Sequence, residues 1–202
     1  MSRTILYSMI GAGLIAFISA ALLGKVLIPA LRRLKFRQTI RDIGPTWHKN
    51  KQGIPTMGGF LFIIGAAIAL AVVMPLYSLW RGNAPAIFPD SLTNTRLVSG
   101  LILMLGCGAI GFADDFIKVM KKRNLGLTEL QKLFCQLVVG TAYALSLYMA
   151  GDHVQTIPFV GDVDLGIWFV PICVLIIAAY TNAVNFTDGV DGLCGSVTFM
   201  AL

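Results

Sequence analysis

The chain has 202 residues, of which 56% are hydrophobic and only 13% charged, with a mean hydropathy of +0.78. A soluble domain carries roughly a quarter of its residues as Asp, Glu, Lys and Arg, so the composition excludes an ordinary soluble fold and indicates an integral membrane protein. The formal charge of +6 suits anionic headgroups or a phosphorylated ligand; nucleic acid is the weaker reading, because no soluble domain exists to present a base-reading surface.

Crossing a bilayer as a helix takes about 20 apolar residues. Such stretches run from Ile5 to Leu31, Thr56 to Leu79, Leu97 to Ala113, Leu133 to Ala150 and Ile167 to Val184. Each is too long and too poor in charge for a core strand, which predicts membrane helices. The first has Arg3 before it and the small residues Ser19, Ala20 and Ala21 within it, like a secretory leader. Its apolar core exceeds the roughly 7–15 residues of a leader, and further spans follow, so it is expected to be retained. Between the fourth and fifth stretches, Val154 to Gly166 alternates weakly and contains Pro158, Gly161 and Gly166, the pattern of a small hairpin. A sixth apolar stretch starts near Leu193 and reaches Leu202 without room to span. The expected fold class is therefore an all-α polytopic membrane protein, with five complete transmembrane helices and the start of a sixth. Residues 1–202 are expected to form one transmembrane domain, cut off inside its sixth helix.

Cations fix the expected orientation. Seven basic residues (Arg32, Arg33, Lys35, Arg37, Arg41, Lys49, Lys51) follow the first span and five (Lys118, Lys121, Lys122, Arg123, Lys132) follow the third, which places 12 of the 16 Lys and Arg on one side. The positive-inside rule puts that side in the cytoplasm and the N-terminus outside.

Three patterns are set aside. Cys107, Cys135, Cys173 and Cys194 sit singly beside or within apolar stretches, without C-x-x-C spacing, and read as packing residues. Gly106-Cys-Gly-Ala-Ile-Gly111 matches the G-x-G-x-x-G of dinucleotide sites, but that motif needs a preceding strand. Inside a span, small residues for close helix approach explain it better. Asp188-Gly-Val-Asp-Gly192 resembles a calcium loop, yet its twelfth position is Phe199, where a bidentate Glu is required.

Four polar clusters recur at the cytoplasmic ends of the spans. The first, His48 to Gly59, has Gly53, Pro55, Gly58 and Gly59 shaping a tight start to span two, with Lys51 and Thr56 as a charge and a hydroxyl for an anion at the helix N-terminus. In the second, Asp114 and Asp115 close span three, with Lys118 at i+4 and i+3 from them. Adjacent residues differ by about 100° around a helix, so only one of the two acids can point fully into a given cleft. The third has Thr128 as a candidate N-cap with Gln131 as its capping-box partner. There Lys132 lies in the first turns of span four, where a cation is unfavourable unless an anion is near. The fourth is Asn182, Asn185, Asp188 and Asp191 at every third residue, a spacing that drifts about 60° per step on a continuous helix. Gly189 and Gly192 suggest a turn that folds the last two acids back. Carboxylates, lysines and amides together suit Mg²⁺ with phosphate groups, since Mg²⁺ takes a few carboxylates plus substrate oxygens.

These residues resemble, in order, the phospho-N-acetylmuramoyl-pentapeptide transferase branch of the polyprenyl-phosphate N-acetylhexosamine-1-phosphate transferases. The resemblance rests on Lys51-Gln-Gly-Ile-Pro-Thr-Met-Gly-Gly59, Asp114-Asp-Phe-Ile-Lys118, Gly126-Leu-Thr with Lys132, and Asn182 through Leu193. One departure is Ile54, where the family has Thr; a larger one is the family's C-terminal part, which would lie beyond Leu202, so the resemblance implies that residues 1–202 are the N-terminal part of a longer protein and inactive alone. The resemblance implies a ten-helix fold, a homodimer in the full-length protein, and Mg²⁺-dependent transfer of phospho-MurNAc-pentapeptide from UDP-MurNAc-pentapeptide to undecaprenyl phosphate. The products are lipid I and UMP, in peptidoglycan synthesis. It further implies that Lys51, Thr56, Asn182, Asn185, Asp188, Gly189 and Asp191 line the nucleotide side. Asp114 and Asp115 are expected to hold or orient Mg²⁺ or the lipid phosphate, while Lys118 and Lys132 neutralise phosphate oxygens. Which adjacent acid is base, metal ligand or lipid-positioning group is left open by the sequence. A GlcNAc-1-phosphate transferase is the alternative within the superfamily, and a membrane transporter is the alternative of another class. A transporter would place its acids at mid-span, unlike those here.

Overall fold

The computed structural model describes residues 3–33, 57–80, 91–121, 125–188 and 193–201. They form six α-helices, α1 (Arg3–Arg33), α2 (Gly59–Trp80), α3 (Ser91–Met120), α4 (Glu129–Met149), α5 (Phe169–Thr187) and α6 (Leu193–Ala201), with a two-stranded hairpin between α4 and α5. Five of the helices, α1 to α5, are long and apolar enough to cross a membrane. Large side chains such as Phe17, Phe62, Leu79 and Met149 lie on the surface, as lipid requires and water would penalise. The protein is a multi-pass membrane protein.

Two compact units make up the described chain, residues 1–94 with 104–128, and residues 95–103 with 129–202, so α3 contributes to both. In the first, α1 and α2 pack together. A Cβ at Gly65 of α2 would lie 2.9 Å from the Ala16 carbonyl oxygen of α1, so glycine there lets the two backbones meet, the way membrane helices gain dispersion contact. Gly108 of α3 makes room for a side chain instead: a Cβ would lie 2.6 Å from Ile63 Cδ1. Within the G-x-G-x-x-G run Gly108 is thus a helix-packing residue, while a Cβ at Gly111 would meet nothing within 4 Å.

In the second unit α4 packs on α5, where Gly140 faces Val174 and Ile177. The end of α4 follows from one residue. Gly151 adopts φ +83°, its N–H donates to Tyr148 O at 3.0 Å, and Asp152 N–H donates to Leu147 O at 2.9 Å. That pair of bonds is the Schellman cap, and its left-handed residue favours glycine. The chain then turns into the expected hairpin, β1 (Val154–Ile157) antiparallel to β2 (Gly161–Asp164), in the register Val154 to Asp164 through Ile157 to Gly161. Asp152 is clamped by Arg96, whose Nε and Nη2 donate to its two oxygens at 2.6 Å each. The guanidinium holds the Asp152 carboxyl below the usual carboxylate range.

All four cysteines are free and half-buried, in keeping with packing roles.

Candidate functional site

Span three is longer than its apolar run. The apolar run ends at Ala113, while α3 continues to Met120 and carries Asp114 and Asp115 within its last two turns, as the expected helical spacing to Lys118 requires. Lys118 in the final turn explains the extension, because a helical backbone is what brings i+3 and i+4 side chains to the same cation. Lys118 Nζ lies 2.6 Å from Asp114 Oδ2 and 3.1 Å from Asp115 Oδ1.

Beyond that shared lysine the two acids diverge. Asp114 is 7% exposed, and its Oδ1 accepts the Leu127 N–H at 2.9 Å. Gly126 makes this approach possible, since a Cβ there would stand 2.6 Å from the Asp114 carbonyl oxygen and closer still to its carboxylate. Asp114 therefore ties the chain segment entering α4 back onto α3. The Asp115 side chain is 30% exposed, and its Oδ2 accepts the Met57 N–H at 3.3 Å. Met57 has φ +69° and lies two residues before the start of α2, so the Asp115 carboxylate sits near the positive end of the α2 dipole. Phe60 of α2 packs edge-on against Phe112 of α3 at 5.5 Å, and Phe112 stacks on Phe116 at 5.6 Å. This aromatic ladder holds the start of α2 beside the acids.

Two carboxylates with one ammonium leave a net charge of about −1 at this corner. Among the described residues no group of three or more His, Cys, Asp or Glu is assembled for a metal. The donor set fits Mg²⁺ all the same, because that ion takes one or two carboxylates and completes its shell with water and phosphate oxygens. Asp115, half-open, is the better donor of the two: each acid has both oxygens engaged, but the Asp115 contacts, at 3.1 and 3.3 Å, are longer than the 2.6 and 2.9 Å of Asp114.

In the second unit α5 runs unbroken through Thr187, with Asp188 as a right-handed C-cap at φ −71°. The expected turn thus begins no earlier than residue 189, and Asn182 and Asn185 sit on regular helix, Asn185 exposed and Asn182 half-buried. Asp188 is exposed. Thr128 stands directly before α4, where an N-cap belongs, and Lys132 is half-buried in its first turn. Asn182 meets a residue that no motif indicated, Gln136: Asn182 Nδ2 donates to Gln136 Oε1 at 2.8 Å. The available signal was a polar side chain one helical turn after Lys132 inside an apolar run, since polar groups at membrane depth tend to be functional. With Gly140 opposite Ile177 and Gln136 opposite Asn182, one further turn brings Lys132 level with Asn185 along the α4 and α5 axes. Lys51, Thr56, Gly189 and Asp191 lie outside the described residues.

The model of a family described as glycosyl transferase family 4 matches residues 97–202, which contain α3 from its first turns onward, both acids and the Asn182 cluster. The chain belongs to glycosyl transferase family 4. As a member of that family it is similar to curated proteins named phospho-N-acetylmuramoyl-pentapeptide-transferase. That of Acetivibrio thermocellus is 43% identical over 192 residues, covering 93% of this chain and 52% of the relative. That of Heliobacterium modesticaldum is 41% identical over 203 residues, covering 95% and 55%. That of Halalkalibacterium halodurans is 37% identical over 206 residues, covering 100% and 58%. The chain spans just over half the length of these relatives.

Proposed function

We propose that the protein to which this chain belongs transfers phospho-MurNAc-pentapeptide from UDP-MurNAc-pentapeptide to undecaprenyl phosphate, giving lipid I and UMP for peptidoglycan synthesis. The observation that carries the reading is the corner of Asp114, Asp115 and Lys118, anchored to the start of α2 and to the Gly126–Leu127 segment. It supplies acid and cation at a membrane-helix end, where a lipid phosphate would meet a water-soluble diphosphate.

The lipid phosphate is a monoester with a second pKa of about 6, so at neutral pH it is largely dianionic and needs little help from a base. One of its oxygens attacks the sugar-side phosphorus of the diphosphate. The bond from that phosphorus to the bridging oxygen breaks, and UMP leaves with that oxygen. The difficulty is bringing a dianion against a charged diphosphate, so positioning and neutralisation dominate. Lys118, held by both acids, offers an ammonium to phosphate oxygens, and Lys132 does the same from the first turn of α4. Asp115 would hold Mg²⁺, with Asp114 keeping Lys118 and the loop in place; Mg²⁺ bound there supplies further charge neutralisation. The same reading has a homodimer and an N-terminus outside the cell, with the acids facing the cytoplasm.

Asp115→Asn in the full-length protein is expected to lower UMP release by roughly 10²–10³-fold, the scale of losing an electrostatic group at a transfer site, and to raise the Mg²⁺ needed for half-maximal rate. Unchanged turnover and metal dependence would sink the assignment. Exchange of UDP-MurNAc-pentapeptide for UDP-GlcNAc tests the rival sugar, and solute flux without UMP release in vesicles would favour a transporter.

A further inference from the structure

A buried amide stands behind the one nucleotide-side residue that α5 turns toward α4. Gln136 is only 5% exposed, in the middle of an apolar stretch of α4. Its Oε1 accepts from Asn182 Nδ2 at 2.8 Å, and the same Nδ2 donates to the Ala178 carbonyl, also at 2.8 Å. A backbone carbonyl only accepts, so the Asn182 atom facing Ala178 is the amino group. Once that is fixed, the Gln136 atom facing Asn182 is its oxygen. Both Asn182 amino hydrogens are then consumed inside the protein. What Asn182 has left to offer is Oδ1, an acceptor without a hydrogen-bond partner among the described residues. Asn182 closes one end of an open groove of about 670 Å³ between α4 and α5, lined otherwise by Thr141 and by apolar side chains such as Leu133, Leu137, Val174 and Ala178.

We propose that Gln136 is a positioning residue that locks the Asn182 amide with its oxygen outward, so that the substrate group recognised there is a hydrogen-bond donor, an imide or amide N–H or a hydroxyl, and not a phosphate oxygen. The proposal rests on the nucleotide-sugar reading above and deepens it. Orientation matters because an amide free to turn would present either an N–H₂ or a C=O, and half of its encounters with a donor group would be repulsive. The Ala178 carbonyl selects the orientation, and Gln136 holds it with a second bond in a low-dielectric setting, where a mispaired amide is costly.

Two measurements on the full-length protein test this. Selective ¹⁵N-asparagine labelling, with Asn182→Asp to identify the resonance, reads hydrogen exchange at the Asn182 amino group without any substrate. Gln136→Met is expected to speed that exchange about tenfold or more, the loss of one hydrogen bond's protection; equal exchange in both proteins overturns the lock, whatever the protein's activity. The second measurement is steady-state kinetics with UDP-MurNAc-pentapeptide, in which wild-type UMP release by itself decides the functional reading. Gln136→Met is expected to raise KM for the nucleotide substrate about tenfold, with kcat and KM for undecaprenyl phosphate within about twofold. Adding Asn182→Asp is expected to restore KM, because a carboxylate presents an acceptor whichever way it turns. A double variant that binds worse than Gln136→Met overturns the donor assignment, since a phosphate oxygen would be repelled. A uniform fall in kcat without rescue would reduce Gln136 to a structural role.

Discussion

At the scale of single residues, the two adjacent acids illustrate how a helix divides labour. Asp114 and Asp115 share Lys118, yet a rotation of about 100° between them sends one into the protein and leaves the other half-open. The sequence made the pair and its lysine visible through spacing alone. It carried no sign of Leu127 or Met57 as partners, because each contributes a backbone N–H, which every residue other than proline has. Glycine at 126 is the residue through which this arrangement is most exposed to test. Gly126→Ala would push a methyl group against the Asp114 carbonyl oxygen and is expected to cost about 1–3 kcal/mol of stability, the usual penalty of overpacking. Tryptophan-monitored thermal unfolding of the detergent-solubilised protein reads it. Gly111→Ala, on a helix position with nothing within 4 Å of the added Cβ, is the control and is expected to be neutral or stabilising by up to about 1 kcal/mol. Equal losses in both variants would remove the special role of Gly126.

At the scale of elements, the segment from α4 to the hairpin is the most fully specified by local chemistry. Gly151 closes α4, Asp152 binds Arg96, and the following residues alternate into a hairpin whose Thr156 hydroxyl donates to Asp162 Oδ1 at 2.6 Å across the strands. Because Arg96 lowers the Asp152 carboxyl in the folded protein, the contribution of this pair is complete above the unfolded carboxylate value of about 3.9 and is lost as pH falls through the depressed folded value. Asp152→Asn is therefore expected to be less stable than wild type at pH 7 by about 1 kcal/mol, a small figure because Arg96 is open to solvent. The gap should close below about pH 4. A difference in melting temperature that stays constant from pH 7 to pH 3 would contradict this account. In α5 backbone hydrogen bonding runs to Thr187 and the Asp188 N–H donates to Val184 O at 3.0 Å, so Asn182 and Asn185 sit on internally bonded helix, as a lipid medium requires. The turn expected at Gly189 and Gly192 lies outside the described residues.

At the scale of the whole molecule, composition governs. Five long apolar helices with exposed Phe, Leu and Met side chains need lipid around them, and the bias of 12 in 16 basic residues is what supports the proposed orientation, with the acid corner in the cytoplasm and the hairpin outside. Thr156→Cys, on the exposed face of β1, is expected to react with a membrane-impermeant maleimide in intact cells. Labelling that appears only after permeabilisation would invert the orientation.

The sequence by itself determined the membrane medium, the number and approximate limits of the spans, the family, and the acids and lysine of the candidate site. All of these follow from hydropathy, from helical spacing and from residue types that are expensive at a membrane surface unless used. Only the tertiary structure decided that Asp114 is locked by Leu127 in the space left by Gly126, that Asp115 accepts the Met57 N–H ahead of α2, and that the Gln136 and Asn182 amides meet. Those relations depend on backbone groups and on amide orientation, and neither is encoded by any one residue's type; both are set when helices far apart in sequence come within hydrogen-bonding distance.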